Sequence, residues 1–384
     1  MKRKSVFTGL TLLFTLLICY LILVIGNIFL QRIYNNAVAE SNSEAINIEN
    51  SRYELEDKIQ IKKSKEEGFL PVLPPVLFDF PKRLSLLNEL SRKYGYTPLG
   101  AQPNEKVYYC NEGYGLIRYR SDRYGFRNPD DLWDEENTQI ILIGDSFVHG
   151  ACVEEEHTFR SYISKSYPRT LNLGMSGSGP NNYSRTAQYF VRKNNPKKVI
   201  TFFFANDNEG KYLTIFKKDF YPNQHYLLDD GNESKLKNFY RKASQVALQS
   251  PAPENRNDHK NNLWERFEDD FKLKHIRKLI RKSPQESVKK TIDDVIGLCK
   301  IYNCEPYFVY LPTSSFWRPD SRQEGFRESI RNHLNDEYNL SKNFYDATEI
   351  KDKLGNKMFA PKGPHYSHKG YELISEEILK IISK

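Results

Sequence analysis

The chain has 384 residues, 57 of them basic and 49 acidic, for a formal net charge of +8. So small an excess reads as an ordinary solvated surface, and it excludes nucleic acid as the partner of a domain that the N-terminus sends out of the cytoplasm. The 5 cysteines and 8 histidines fall into no zinc-ligand spacing, so neither a metal nor a cofactor is expected.

The chain opens on Met1-Lys2-Arg3-Lys4, and an almost uncharged apolar run follows over residues 6–30. A bilayer takes about 20 apolar residues, so this run predicts one N-terminal transmembrane helix behind a cytoplasmic stub of residues 1–5. The basic start stays inside and everything after the helix faces outward. Ala37-Val38-Ala39 resembles a cleavage site but lies well beyond the apolar run, so the helix reads as an uncleaved signal-anchor. Residues 31–66 are polar and rich in Glu, Lys, Asn and Ser, which predicts a stem between membrane and domain. Pro71-Val72-Leu73-Pro74-Pro75 punctuates its end, and residues 67–135, dense in aromatics and turn residues, predict a small cap or hairpin layer.

From residue 136 to the end the pattern is an α/β domain. Ile140 to Ile143 is a short apolar strand that ends at Gly144-Asp145-Ser146. Phe159, Tyr162, Ile163 and Tyr167 recur at helical spacing, and Leu171 to Leu173 is a second strand ending at Gly174. Pro180 can open the next helix, whose apolar face is Tyr183, Ala187, Phe190 and Val191. Val199 to Phe204 is a third strand, ending at Ala205-Asn206-Asp207. An insertion over about 208–290 interrupts the rhythm. It holds a polar, proline-bearing loop and a basic helix from Leu263 to Lys282 that reads as a solvated face. A helix through Ile292, Val295, Ile296 and Cys299, strands at Tyr307 to Leu311 and Asn343 to Tyr345, and a last helix through Tyr371, Ile374, Ile378 and Ile381 complete the chain. Near-continuous apolar strands alternating with helices predict a three-layer, flavodoxin-like parallel sheet covered on both faces. Cys19 falls in the anchor. Cys110, Cys152, Cys299 and Cys304 permit disulfides without establishing one, and Cys299 and Cys304 also fit as small core residues.

A serine at the carboxyl end of a buried strand, with a histidine just before the last helix, suits nucleophilic ester chemistry. The histidine is His365, in Gly363-Pro364-His365-Tyr366-Ser367-His368-Lys369-Gly370. Gly144-Asp145-Ser146, Gly174, Asn206 and His365 stand in the order of the four signature blocks of the SGNH (GDSL-like) hydrolases, and the chain resembles that family over 138–207 and 291–384. The membrane-anchored form with an insertion resembles bacterial members that act on cell-surface polysaccharides.

The resemblance implies Ser146 as nucleophile, His365 as general base, and an oxyanion hole of the Ser146 amide, the Gly174 amide and the Asn206 side chain. Each has a plainer reading: Ser146 as a helix N-cap, Gly174 as turn chemistry, Asn206 as an Asx turn, and His149 or His368 in place of His365. The spacing of His365 to Ser367 and Gly370 fits the family's last block. One position departs from the pattern. The family carries an aspartate three residues before its histidine, and here that residue is Lys362, which cannot accept a hydrogen bond. A backbone carbonyl is the orienter expected in its place. Asp346 is the other candidate, although with Glu349 it also matches a helix capping box. The implied function is a serine esterase acting on acyl esters, chiefly O-acetyl groups of a surface glycan. The alternatives are an O-acyltransferase sharing the acyl-enzyme step, a lipid esterase, and a non-catalytic glycan-binding or assembly component, which Lys362 favours.

Overall fold

The computed structural model describes residues 56–74, 99–208, 284–313 and 323–383. The expected anchor at 6–30, its cytoplasmic stub, most of the stem, and the loop and basic helix of the insertion lie outside the described residues. Among the described residues no helix is long and apolar enough to cross a membrane. The chain divides into two compact units, Met1–Lys62 and Lys63–Lys384. Of the first, only residues 56–62 are described, and they are helical. The second unit carries both sheets.

Its centre is a five-stranded, wholly parallel sheet. The strands are β4 (Ile140–Ile143), β5 (Thr170–Asn172), β6 (Lys198–Phe204), β7 (Glu305–Leu311) and β8 (Phe344–Asp346), in spatial order β5-β4-β6-β7-β8. This is the flavodoxin-like order expected from alternating strands and helices. The period of two divides each apolar strand between the sheet's faces. Ile141, Ile143, Val199, Phe203, Phe308 and Tyr310 join one buried cluster, and Ile140, Leu142, Ile200, Phe202, Val309 and Leu311 join the other. On the first face lie α3 (Pro180–Asn194), α4 (Pro284–Tyr302) and α5 (Gln323–Tyr338). They contribute Tyr183, Phe190, Ile292, Val295, Ile330 and Leu334. On the second lie α1 (Ser146–His149), α2 (Phe159–Ser164), α6 (Thr348–Leu354) and α7 (His368–Ile382), bringing Phe147, Phe159, Ile163, Ile350, Tyr371 and Ile374.

All five strands point the same way, so their carboxyl ends share one edge. β5 lies on one side of β4 and β6 on the other, so the strand order reverses at β4. A crevice opens at such a point, and Ser146 leaves β4 there.

A smaller sheet stands upstream. Its strands are β1 (Leu70–Pro71), β2 (Lys106–Tyr108) and β3 (Arg118–Arg120), with β2 and β3 antiparallel. The turn after β3 is organised by Asp122, whose Oδ1 accepts from the amides of Tyr124 and Phe126 and whose Oδ2 accepts from Asn128 Nδ2 and Trp133 Nε1. Asn128 in turn pairs with the edge of the large sheet. Its Nδ2 donates to Asn172 O at 2.9 Å and its Oδ1 accepts from Asn172 N at 2.7 Å. This bonding docks the hairpin on β5, and the loop between β2 and β3 reaches the carboxyl edge.

Among the described residues two disulfides form, Cys110–Cys152 and Cys299–Cys304. The second pair closes the step from α4 into β7, where the residues could equally have been reduced core side chains.

Candidate active site

Gly144 and Asp145 turn the chain from β4 into α1. Asp145 is the N-cap, its Oδ1 accepting from the Phe147 amide at 3.0 Å. The plainer reading of Ser146 as the cap therefore does not hold. Ser146 is the first helical residue, where backbone amides have no acceptor within the helix, as an oxyanion donor requires. Burial pushes Asp145 up to about 6.

His365 sits in the turn before α7. Its carbonyl accepts from the Ala360 amide at 2.8 Å, and its neighbour Tyr366 donates its hydroxyl to Pro312 O at 2.8 Å. Ser367 caps α7 by accepting from the Gly370 amide. The ring packs on Phe147, with centroids 4.8 Å apart. So held, His365 Nε2 lies 2.8 Å from Ser146 Oγ.

The other imidazole nitrogen meets an acid. His365 Nδ1 lies 2.6 Å from Glu112 Oε1, and the His365 backbone amide donates to Glu112 Oε2 at 3.0 Å. With Nδ1 donating to a carboxylate, Nε2 is left unprotonated and able to accept the serine proton. Glu112 is buried and sits in the loop between β2 and β3. Its carbonyl accepts from the Lys362 amide at 3.0 Å. A Cβ at Gly363 would fall 1.8 Å from Glu112 Cδ, so the carboxyl occupies space that only glycine leaves open.

Glu112 corrects the expectation of a backbone carbonyl at this nitrogen. It also corrects the Asp346 alternative. Asp346 Oδ2 lies 3.2 Å from Arg327 Nη1 and 3.6 Å from Arg331 Nη2, and its Oδ1 accepts from the Thr348 amide. That carboxylate is spent on two arginines and a helix start. Lys362 contributes its backbone to the acid rather than displacing it.

Gly174 is a second correction. Its amide donates to Asn172 Oδ1 at 2.8 Å, so it is turned into the β5 end rather than offered to an oxyanion. The absence of a side chain serves packing, since a Cβ there would meet His149 N at 2.4 Å. Asn206 follows β6 at the carboxyl edge, in a short 3-10 turn. It makes no Asx turn, since no backbone amide donates to its Oδ1; its neighbour Asp207 reaches back instead, its Oδ2 accepting from the Phe204 amide at 3.0 Å. Asn206 Oδ1 is buried without a hydrogen-bond partner, and the Nδ2 group of the same amide is what would donate to an oxyanion. Asn206→Ala should lower turnover by about a hundredfold, the usual cost of losing one oxyanion donor, while leaving the domain folded. Steady-state kinetics with a circular dichroism check would measure it, and full turnover would reduce Asn206 to a turn residue.

The rival histidines are placed elsewhere. His149 is fully buried, its Nε2 2.7 Å from Tyr119 OH and its Nδ1 2.9 Å from Ser176 Oγ. Burial, then the nearby Arg127, pull it from its ordinary 6.5 down to about 3. Below 6.5 the unfolded chain takes up a proton that the native ring refuses, so this group's contribution to stability falls as pH drops from 6.5 towards 3. The stability margin of the wild type over His149→Gln in urea unfolding should therefore be full at neutral pH and shrink across that interval. A margin independent of pH would refute the buried neutral ring.

His368 lies at the rim with Glu154 and His157, and their ligand-type atoms all fall within 4.8 Å of one another. The two imidazoles stack face to face, with centroids 3.6 Å apart and planes 9° apart. Their in-plane lone pairs run side by side rather than converging, and His368 Nε2 already pairs with Glu154 Oε2 at 3.0 Å. The second such group among the described residues is Glu112, Cys152 and His365, whose sulfur is bound in a disulfide and is no thiolate ligand.

No family model matches the chain, and no curated protein matches it. The chain is similar to several solved structures. A family 3 carbohydrate esterase of Clostridium thermocellum is 13% identical, with 65% of this chain and 100% of that chain covered and a TM-score of 0.37. A GDSL-like lipase of Bacteroides thetaiotaomicron is 10% identical, covering 64% and 88% with a TM-score of 0.37. A catalytic mutant of an acetylxylan esterase of Geobacillus stearothermophilus is 13% identical, covering 64% and 94% with a TM-score of 0.36.

Proposed function

We propose that this protein is a serine ester hydrolase of the SGNH kind, anchored in a membrane by its N-terminus and acting outside the cytoplasm on O-acyl esters of a surface glycan. The observation that carries the reading is the line Glu112–His365–Ser146, with heavy-atom separations of 2.6 and 2.8 Å. In the reaction, His365 Nε2 takes the Ser146 hydroxyl proton as Oγ attacks the ester carbonyl. Glu112 holds the ring and offsets the imidazolium charge. The tetrahedral intermediate collapses as Nε2–H gives its proton to the departing alcohol, leaving acyl-Ser146. Water, deprotonated by the same nitrogen, then releases the carboxylic acid.

Lys362 is the feature that favours a non-catalytic role, and an acid in the orienting place weighs against that role. Two disulfides suit a compartment more oxidising than the cytosol, which supports the outward-facing placement. The glycan substrate rests on the resemblance and on the anchored organisation alone.

The test is to treat the full chain, solubilised in mild detergent, with a fluorophosphonate probe and to measure acetate release from an acetylated glycan. Labelling at Ser146 together with acetate release is the expected result. Absence of both, on a broad ester panel, would overturn the reading. The topology has its own check. A reporter active only outside the cytoplasm should work when fused after Lys384, and activity of a cytoplasm-only reporter there would reverse the placement.

A further inference from the structure

Glu112 is an unusual place to find a catalytic acid. It lies 253 positions from His365, at the tip of a loop that begins after β2 and closes again where the Tyr109 amide donates to Ile117 O and the Ile117 amide donates to Cys110 O. A loop tip is the kind of segment that moves most, whereas a hydrogen-bonded triad tolerates misplacement of only about 0.5 Å. Something must hold the tip against the large sheet.

Cys110, two residues before Glu112, is bonded to Cys152, with a Cα separation of 5.0 Å. Cys152 belongs to the loop after α1. That loop is itself fixed to the nucleophile's helix: the Ala151 amide donates to Ser146 O at 2.9 Å. Buried Arg127 clamps its other side, donating to Gly150 O at 2.7 Å and Val153 O at 3.1 Å. The disulfide therefore joins the loop that carries the acid to the segment that carries the nucleophile. Cys152 Sγ also lies 4.0 Å from His365 Nδ1, the nitrogen that meets Glu112. The bridge thus packs beside the Glu112–His365 hydrogen bond, whose two side chains are largely buried, and such a bond is stronger in a dry setting.

We propose that the Cys110–Cys152 disulfide is a positioning element of the catalytic centre, which holds Glu112 on His365 and makes orientation of the general base conditional on its being formed. Cys299–Cys304 has no such role. It precedes β7, at the opposite edge of the sheet from Ser146.

The kinetic arm of the test rests on the esterase reading, and the spectroscopic arm does not. In the full chain, the His365 Nδ1–H···Glu112 bond should give a strongly downfield proton resonance, assigned by its loss in His365→Ala. It should persist in Cys299→Ser/Cys304→Ser and vanish in Cys110→Ser/Cys152→Ser. If the latter variant does not fold, dithiothreitol treatment of folded Cys299→Ser/Cys304→Ser replaces it, with the resonance lost on reduction and regained on reoxidation. With 4-nitrophenyl acetate as probe, losing Cys110–Cys152 should lower kcat by about a hundredfold, the scale of an ångström's misplacement, with KM little changed. In a Glu112→Gln background the same loss should cost less than about threefold, because two changes acting on one group do not add. A resonance unchanged without the bridge, or a kcat loss of equal size in both backgrounds, would overturn the proposal. If no ester is turned over and Ser146 is not labelled, the esterase reading fails while the resonance still decides the role of the bridge.

Discussion

Ser146→Ala and His365→Ala should each reduce ester turnover by on the order of a millionfold, and the double variant should be scarcely worse than either single one. The geometry sets both expectations. The Ser146 hydroxyl follows β4 by two residues, and among the described residues the imidazole nitrogen paired with it is His365 Nε2, at 2.8 Å. Removing the hydroxyl leaves no nucleophile. Removing the ring leaves a hydroxyl that is almost wholly protonated at neutral pH and has no acceptor for its proton. The two act as one unit, so the second loss takes away nothing that the first had left. The measurement is kcat for the three variants on one acyl ester, with the Ser146 probe label as a parallel signal. His149→Gln is the contrast. That ring is locked between Tyr119 and Ser176, and its loss should appear in stability rather than in the chemical step. Additive losses in the double variant would mean that His365 and Ser146 do not share a proton.

What the sequence could reveal of this site depends on how local each signal is. Ile140 to Ile143 is a short apolar run ending in a turn, so a strand delivering Ser146 could be read from neighbouring residues alone. His365 is marked by the residues after it, since Ser367 caps the last helix and Gly370 supplies the amide it accepts. The parallel sheet was legible because strands buried on both faces lose the polar alternation. Glu112 carried no such mark. A lone glutamate in a turn-rich stretch has nothing periodic about it, and its partner is 253 residues away. The one available clue was cysteine pairing. Had Cys110 been paired with Cys152, the loop bearing Glu112 would have been brought beside Ser146, but four cysteines admit three pairings and spacing does not choose among them. Gly174 failed for a different reason. A glycine at a strand end fits an oxyanion donor or a tight packing contact equally well, and only the direction of its amide, towards Asn172 Oδ1, separates the two. Asn206 read equally well as an Asx turn, and only the structure, where its Oδ1 accepts no hydrogen bond, removes that reading.

Glu112→Gln should lower kcat by about ten-thousandfold, and neither Asp346→Asn nor Lys362→Ala should change it. The amide is nearly the size of the carboxylate, so the pocket against Gly363 and the hydrogen bond from the His365 amide can both survive. What changes is the proton. A carboxylate can only accept, which keeps hydrogen on Nδ1 and the lone pair on Nε2, facing Ser146. A glutamine can instead donate to Nδ1. The hydrogen then moves to Nε2, where it points at Oγ and the ring cannot serve as base. The uncompensated imidazolium adds to the cost. Asp346 makes no contact with His365: its oxygens are held by Arg327, Arg331 and the Thr348 amide, so losing its charge should be felt at the start of α6 and not in turnover. Lys362 reaches Glu112 through its backbone amide, which alanine retains. Steady-state kinetics on the three variants, with unfolding curves to show that each is native, distinguish the assignments. A large loss in Asp346→Asn with little in Glu112→Gln would reverse them, and equal activity in all three would mean that no side chain orients His365.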